Sequence, residues 1–258
     1  MLDNLKNIFD FYLRNKFKFS RKNYVEQNEE KYVLDKELAE QEDFLLSKYN
    51  MWNYKTNSTI SNYYQNLSIL EMLDKYMDIS FKENLKVLDV GSKNWFYVPS
   101  EYNFFKKYCD NLHIDGVELD AFRLYSNFYS RFEVAKYYSK DLQGANYIPD
   151  NIININKEYD YIVWILPFVT KYPLRRWGLP DKYFQPKELF EHVYSLLKDS
   201  GKMLIINQGE EEFNIQKQIA GDKIIFSKEL DISFYEYQNK RFVSVLEKWF
   251  VQKFKIIY

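Results

Sequence analysis

Apolar side chains recur at helical spacing near the start of the chain. Leu5, Ile8, Phe9, Tyr12 and Leu13 fall on one side of the segment from Leu2 to Phe19, which predicts an amphipathic helix. Arg14, Lys16, Lys18, Arg21 and Lys22 form a basic cluster at its end, and acidic residues from Glu26 to Asp43 dilute that charge. A second helix is predicted from Leu34 to Tyr49. Asn50 to Asn66, crowded with Asn, Ser, Thr and Tyr, reads as irregular chain. Trp52, Tyr54, Tyr63 and Tyr64 lie in it, and the expectation is that residues 1–65 form a helical cap whose rings help roof a substrate opening. Leu67, Leu70, Leu73, Tyr76 and Met77 then mark a helix that covers a sheet.

From residue 66 to 258 the pattern changes to alternating strands and helices, which predicts a doubly wound α/β domain. Strands are expected at Leu85 to Val90, Ile114 to Glu118, Asn146 to Pro149, Asp160 to Leu166 and Lys202 to Asn207, with a closing pair at Lys223 to Ser227 and Phe242 to Phe250. The run from Tyr161 to Leu166 has no polar interruption, as burial on both faces of a parallel sheet requires. Helices are expected at Ser100 to Cys109, Ala121 to Phe132, Pro186 to Leu197 and Glu211 to Ala220. Glu229 to Tyr237 extends the first closing strand or lies against it.

With 24 Tyr and 21 Phe among 258 residues, the chain has ample apolar area to bury and is a folded protein. Its 36 basic and 37 acidic side chains leave a net charge of −1, so no overall field gathers nucleic acid or anionic lipid. A lone Cys109 with only His113 and His192 to help it argues against a disulfide framework or a structural zinc site. The start lacks the pattern of a secretory signal, and no run approaches the ~18 apolar residues of a membrane span. A cytoplasmic protein without integral membrane association and without a metal is expected.

The chemistry concentrates at two strand ends. Leu85-Lys86-Val87-Leu88-Asp89-Val90-Gly91 and Gly116-Val117-Glu118-Leu119-Asp120 put a flexible turn and a carboxylate at the carboxyl ends of neighbouring strands, where doubly wound sheets bind ligands. Gly91 lets the backbone approach a ligand, and Glu118 can accept two hydrogen bonds from ribose hydroxyls. The alternative is structural: Gly91 only turns the chain, and Glu118 only caps a helix with Asp120. Gly91-Ser92-Lys93-Asn94-Trp95-Phe96 lacks the G-x-G-x-x-G of a nicotinamide or flavin site, and there is no phosphate-cradling G-x-x-x-x-G-K-[ST] loop.

The segments VLDVGSKNWFY, GVELD, DYIVWILPF and SLLKDSGKMLII together resemble the class I methyltransferases that depend on S-adenosylmethionine. The resemblance covers roughly Leu67 to Tyr258 and implies a mostly parallel seven-stranded sheet with an antiparallel terminal strand. By that resemblance Asp89, Gly91 and Ser92 lie beside the methionine part of the cofactor, and Glu118 holds its ribose. Asp150 or Asn151 lies near the adenine amine, and Trp164 leads into the border of the transferred methyl. The first loop departs from the family's glycine-richer form.

Asp120 and His192 are the candidate proton acceptors. Leu166-Pro167-Phe168-Val169 stands where nucleobase amino methyltransferases carry a polar residue, which disfavours that subclass; nucleic acid also lacks a global electrostatic footprint, although Arg175, Arg176 and the Arg14 to Lys22 cluster could form a local one. Phe168, Tyr172, Trp177 and Tyr183, interspersed with Lys171, Arg175 and Arg176, favour a small-molecule or protein side-chain acceptor. The alternative is a module that binds the cofactor without catalysis. Glu118→Ala is expected to leave the fold intact, with Glu118 at the rim of the sheet.

Overall fold

The computed structural model describes residues 2–234 and 239–248. Helices α1 (Leu2–Lys16), α2 (Lys36–Tyr49), α3 (Trp52–Thr56) and α4 (Ile60–Tyr76) precede the first strand. The core then runs β1 (Lys82–Val90), α5 (Val98–Lys106), β2 (Cys109–Val117), α6 (Arg131–Ser139), β3 (Ala145–Ile148) and β4 (Tyr159–Ile165). It continues with α7 (Lys171–Arg176), α8 (Pro186–Ser195), β5 (Leu197–Gln208), α9 (Gly209–Ala220), β6 (Ile224–Glu229) and β7 (Arg241–Glu247).

The strands form one seven-stranded sheet in the order β3-β2-β1-β4-β5-β7-β6. The first five strands pair in parallel, and β7 lies antiparallel between β5 and β6. Alternate residues feed the two faces. Val87, Tyr161 and Val163 join the aromatic-rich layer of α2, α4 and α5, while Leu88, Val90, Ile162 and Trp164 pack with Phe190 and Val193 of α8. The doubly wound expectation and the antiparallel terminal strand hold. Residues 249–250 of the last predicted strand, and 235–237 of the segment before it, lie outside the described residues.

Two expectations fail for local reasons. Of the expected helix Ala121 to Phe132, residues 121–130 are a turn closed by an antiparallel bridge between Leu124 and Ser130, with Phe128 at φ 63°, and the helix begins only at Arg131, as α6. Ser130 starts it with a capping box: its hydroxyl accepts from the backbone N–H of Glu133, whose carboxylate accepts from the N–H of Ser130. Asn50 to Asn66 is likewise mostly helical, because Thr59 caps α4 through a bond from the N–H of Asn62. Position 65/66 therefore falls inside a continuous helix. A smaller difference is that β5 begins at Leu197, before Gly201, across an irregular pairing with β4.

Candidate functional site

Because β1 to β4 are parallel, their carboxyl ends share one edge of the sheet. A cavity of about 450 Å³ opens there, walled by Val90 and Gly91 after β1, Val117 to Leu119 after β2, Asp150 to Ile152 after β3 and Trp164 to Val169 at β4. Gly91 leaves its strand at φ 72°, and a Cβ added there would meet nothing within 4 Å. Backbone conformation, rather than crowding, is what calls for glycine.

Lys93 and Trp95 also adopt positive φ, at 56° and 45°. Their surroundings over-determine this conformation. The hydroxyl of Tyr147 donates to the carbonyl of Lys93. The Trp95 indole is fully buried, its Nε1 donates to Glu101 Oε2 at 2.9 Å, and its ring lies against Gly116, where an added Cβ would come within 2.7 Å. An indole beneath the loop thus supports its positive-φ residues. Asp89 and Ser92 are fully buried and do not line the cavity. Asp89 accepts from the Tyr97 hydroxyl at 2.8 Å, and burial pushes its pKa up to about 7 against that bond, with Glu118 adding to the push.

Glu118 lines the cavity with only 7% of its surface exposed. Its Oε1 accepts from the N–H of Asp120 at 2.7 Å and from Arg131 Nη1 at 3.2 Å, and its Oε2 accepts from the N–H of Lys93 at 2.9 Å. Burial raises its pKa, opposed by Arg131 and the two N–H groups. Arg131, also on the cavity wall, has a buried Nε without a hydrogen-bond partner. Burial lowers the Lys93 pKa, and Arg131 lowers it further.

Asp150 and Asn151 sit together at the opposite side of this end. Asp150 Oδ1 accepts from the N–H of Asn151 and from Asn154 Nδ2, both at 2.7 Å, and Asn151 caps the following turn. Trp164 lines the wall toward β4. The two expected proton acceptors are elsewhere. Asp120 is buried against Arg14, whose Nε and Nη2 hold both of its oxygens, and His192 Nε2 lies 3.0 Å and 3.1 Å from the carbonyls of Ile152 and Ile155. Neither lines the cavity.

The roof comes from the segment after β4. Trp177 places its ring 5.3 Å from Lys93 Nζ and 5.1 Å from Arg131 Cζ. Phe168, Leu174, Leu179 and Tyr183 complete this side. Helix α1 fastens the roof: Asn7 donates to the carbonyls of Arg175 and Leu179, and Arg14 to that of Gly178 at 2.8 Å. The rings expected from the N-terminal segment are not in the lining. Tyr63 and Tyr64 are buried in α4, and its Gln65, Ser68 and Ile69 reach the cavity in their place.

No protein-family model matches this sequence, and no curated protein matches it. Among solved structures, one assigned to the class I S-adenosylmethionine-dependent methyltransferases, from Listeria monocytogenes, aligns with a TM-score of 0.50 at 16% identity, over 73% of this chain and 60% of that one. The fold is that of the class I methyltransferases. A methyltransferase from Aquifex aeolicus gives 0.48 at 14% identity over 69% of this chain and 88% of its own. Magnesium protoporphyrin IX methyltransferase from Synechocystis gives 0.46 at 12% over 84% and 98%.

Within this methyltransferase fold the sequence reading missed the far end of the cavity, where Gln208, Glu212, Gln216 and Arg241 meet at the ends of β5 and β7 and on α9. Gln216 is 1% exposed and its Nε2 has no hydrogen-bond partner. Glu212 Oε2 accepts from the N–H of Gln208 at 3.3 Å, and burial raises its pKa. The signal that could have found three of them is topological: Gln208 sits at the carboxyl end of a parallel strand and Glu212 and Gln216 in the helix after it, whereas Arg241 begins the antiparallel β7.

Proposed function

We propose that the cavity binds S-adenosylmethionine and that the protein transfers its methyl group to a small molecule or a protein side chain. The observation that carries this reading is the convergence of Gly91, Glu118 and the Asp150–Ile152 turn on one cavity at the carboxyl edge of the sheet. The residues suit such a cofactor. Among the described residues Glu118 Oε2 accepts one protein bond, so it keeps a lone pair for a ribose hydroxyl. Asp150 and Asn151 offer acceptors to the adenine amine, and Gly91 leaves open space for the methionine part.

When bound, the cofactor supplies an electrophilic methyl on a sulfonium. The chain then has to orient an acceptor, exclude water and remove a proton. Trp164, Leu166 and Phe168 form an apolar wall toward the acceptor end. Glu212 faces the same space with a carboxylate made more basic by burial, and it takes the proton that the acceptor nitrogen or oxygen loses as the new bond forms. The N-terminal helices act as a cap through the hold of α1 on the roof, and the setting of this proposal is the cytoplasm.

Calorimetric titration of the folded, cofactor-stripped chain tests the reading. One site per chain is expected for S-adenosylmethionine or its demethylated product. Absence of binding to both compounds refutes it, and binding with no turnover on any acceptor leaves the non-catalytic module as the better description.

A further inference from the structure

Helix α1 is amphipathic in the reverse sense. The side turned to the protein carries Asn4, Asn7 and Arg14, which bond to the N–H of Asp181, the carbonyls of Arg175 and Leu179, and the carboxylate of Asp120. The side turned to solvent carries the apolar stripe. Leu5 is 59% exposed, Ile8 44%, Phe9 61% and Tyr12 59%, and Phe17 and Phe19 continue it at 58% and 44%. Positions 5, 8, 9 and 12 share one helical face, so this is a continuous surface rather than scattered residues.

Charge decides what it fits. Arg14 and Arg21 turn inward to Asp120 and Glu133, which leaves Lys6, Lys16, Lys18 and Lys22 exposed around the stripe. Lys16 Nζ lies 5.9 Å and 5.8 Å from the Tyr12 and Phe17 ring centres, so cation and ring are presented together. Asp3 and Asp10 project from the far side of the helical wheel. A second copy of this face would set lysine against lysine. A phosphodiester backbone would gain nothing from Leu5, Ile8 and Phe9. A surface with negative headgroups above an apolar layer satisfies both halves, and no described helix is long and apolar enough to cross a membrane.

We propose that α1 docks this protein in the plane of an anionic lipid surface, with Leu5, Ile8, Phe9 and Tyr12 in the headgroup boundary and the lysines at the phosphates. The same helix fastens the roof of the cavity, so docking brings that roof segment to the lipid. The inference stands apart from the cofactor reading, because nothing in it requires the cavity to be filled.

The test is sedimentation of the full chain with vesicles of phosphatidylcholine alone and of equimolar phosphatidylcholine and phosphatidylserine. Binding is expected to the mixed vesicles only, and it should fall as salt rises. Lys16→Gln and Lys18→Gln should each weaken it roughly fivefold. The triple change Ile8→Ser, Phe9→Ser, Tyr12→Ser should remove it while the thermal melt stays in place, since these side chains face solvent. A folded chain that ignores the mixed vesicles, or a triple variant that binds them as well as the parent, overturns the proposal. So does a concentration-dependent dimer in sedimentation velocity that the triple variant abolishes, which would give the stripe to a second copy. All three measurements are made without cofactor, so their outcome is independent of the calorimetric titration.

Discussion

Replacing Glu118 separates its two roles. In the structure its carboxylate holds Arg131, the N–H of Lys93 and the N–H of Asp120, so it is part of the loop architecture as well as the residue we propose for the ribose. Glu118→Ala would strand a buried guanidinium whose nearest remaining carboxylate is that of Asp120 at 3.8 Å. Breaking a buried pair from one side costs about 3–5 kcal/mol. For a chain of this size that lowers the melting temperature by roughly 6–20 °C. The alanine variant therefore confounds folding with binding, contrary to the sequence expectation of a harmless rim substitution. Glu118→Gln keeps the shape and one oxygen acceptor while removing the charge. Loss of one charge-assisted hydrogen bond costs about 1.5–3 kcal/mol, which weakens S-adenosylmethionine binding roughly 10-fold to more than 100-fold. Calorimetry on the glutamine variant, with its melt recorded alongside, is the assay. A folded Glu118→Gln chain that binds as tightly as the parent refutes the ribose assignment.

Glu212→Gln should lower turnover by about 10²- to 10⁴-fold with cofactor affinity unchanged, measured by steady-state kinetics beside calorimetry; an unchanged rate removes Glu212 as the proton acceptor. Gly116→Ala drives a Cβ to within 2.7 Å of the Trp95 ring and should cost about 1–3 kcal/mol in a denaturant titration, whereas no loss would mean the indole can move aside. Asp89 has a folded-state pKa raised by burial, so it binds more protons folded than unfolded, and its contribution to stability is fully present below its unfolded pKa and lost as pH rises toward 7. Asp89→Asn should accordingly flatten the decline in stability between about pH 4 and 7. Equal slopes for parent and variant would show that Asp89 does not carry that decline.

The sheet was legible because both-face burial and strand-end glycines leave direct marks: the run Tyr161 to Leu166, the turn at Gly91, the carboxylate at Glu118. The site was legible only where backbone topology fixes it. Asp120 looked available because Arg14, its partner, lies more than a hundred positions away in a helix the sequence presents as peripheral. His192 looked available because its contacts are backbone carbonyls, which no residue type announces. Arg131 was hidden by the false helix over Ala121 to Phe132. Its true boundary depends on the reciprocal bonds of Ser130 and Glu133, a signal that apolar periodicity alone outvoted.

The position of β1 in the strand order also shapes how the molecule comes together. Its register with β2, as in Asp89 opposite Gly116, needs only the intervening α5 to close, so this half can collapse early. Its other register, Asp89 opposite Val163, must close the much longer loop that carries α5, β2, α6 and β3, at a greater entropic cost. The middle of the sheet is thus a late, long-range closure, and β7 with Arg241 must then insert beside a β5 whose edge is still bare. A refolding chain should show a fast phase on the β1–β2–β3 side followed by a slower one that completes the cavity. The intermediate between them exposes the unpaired, highly apolar β4, which makes aggregation during refolding most severe before that second phase.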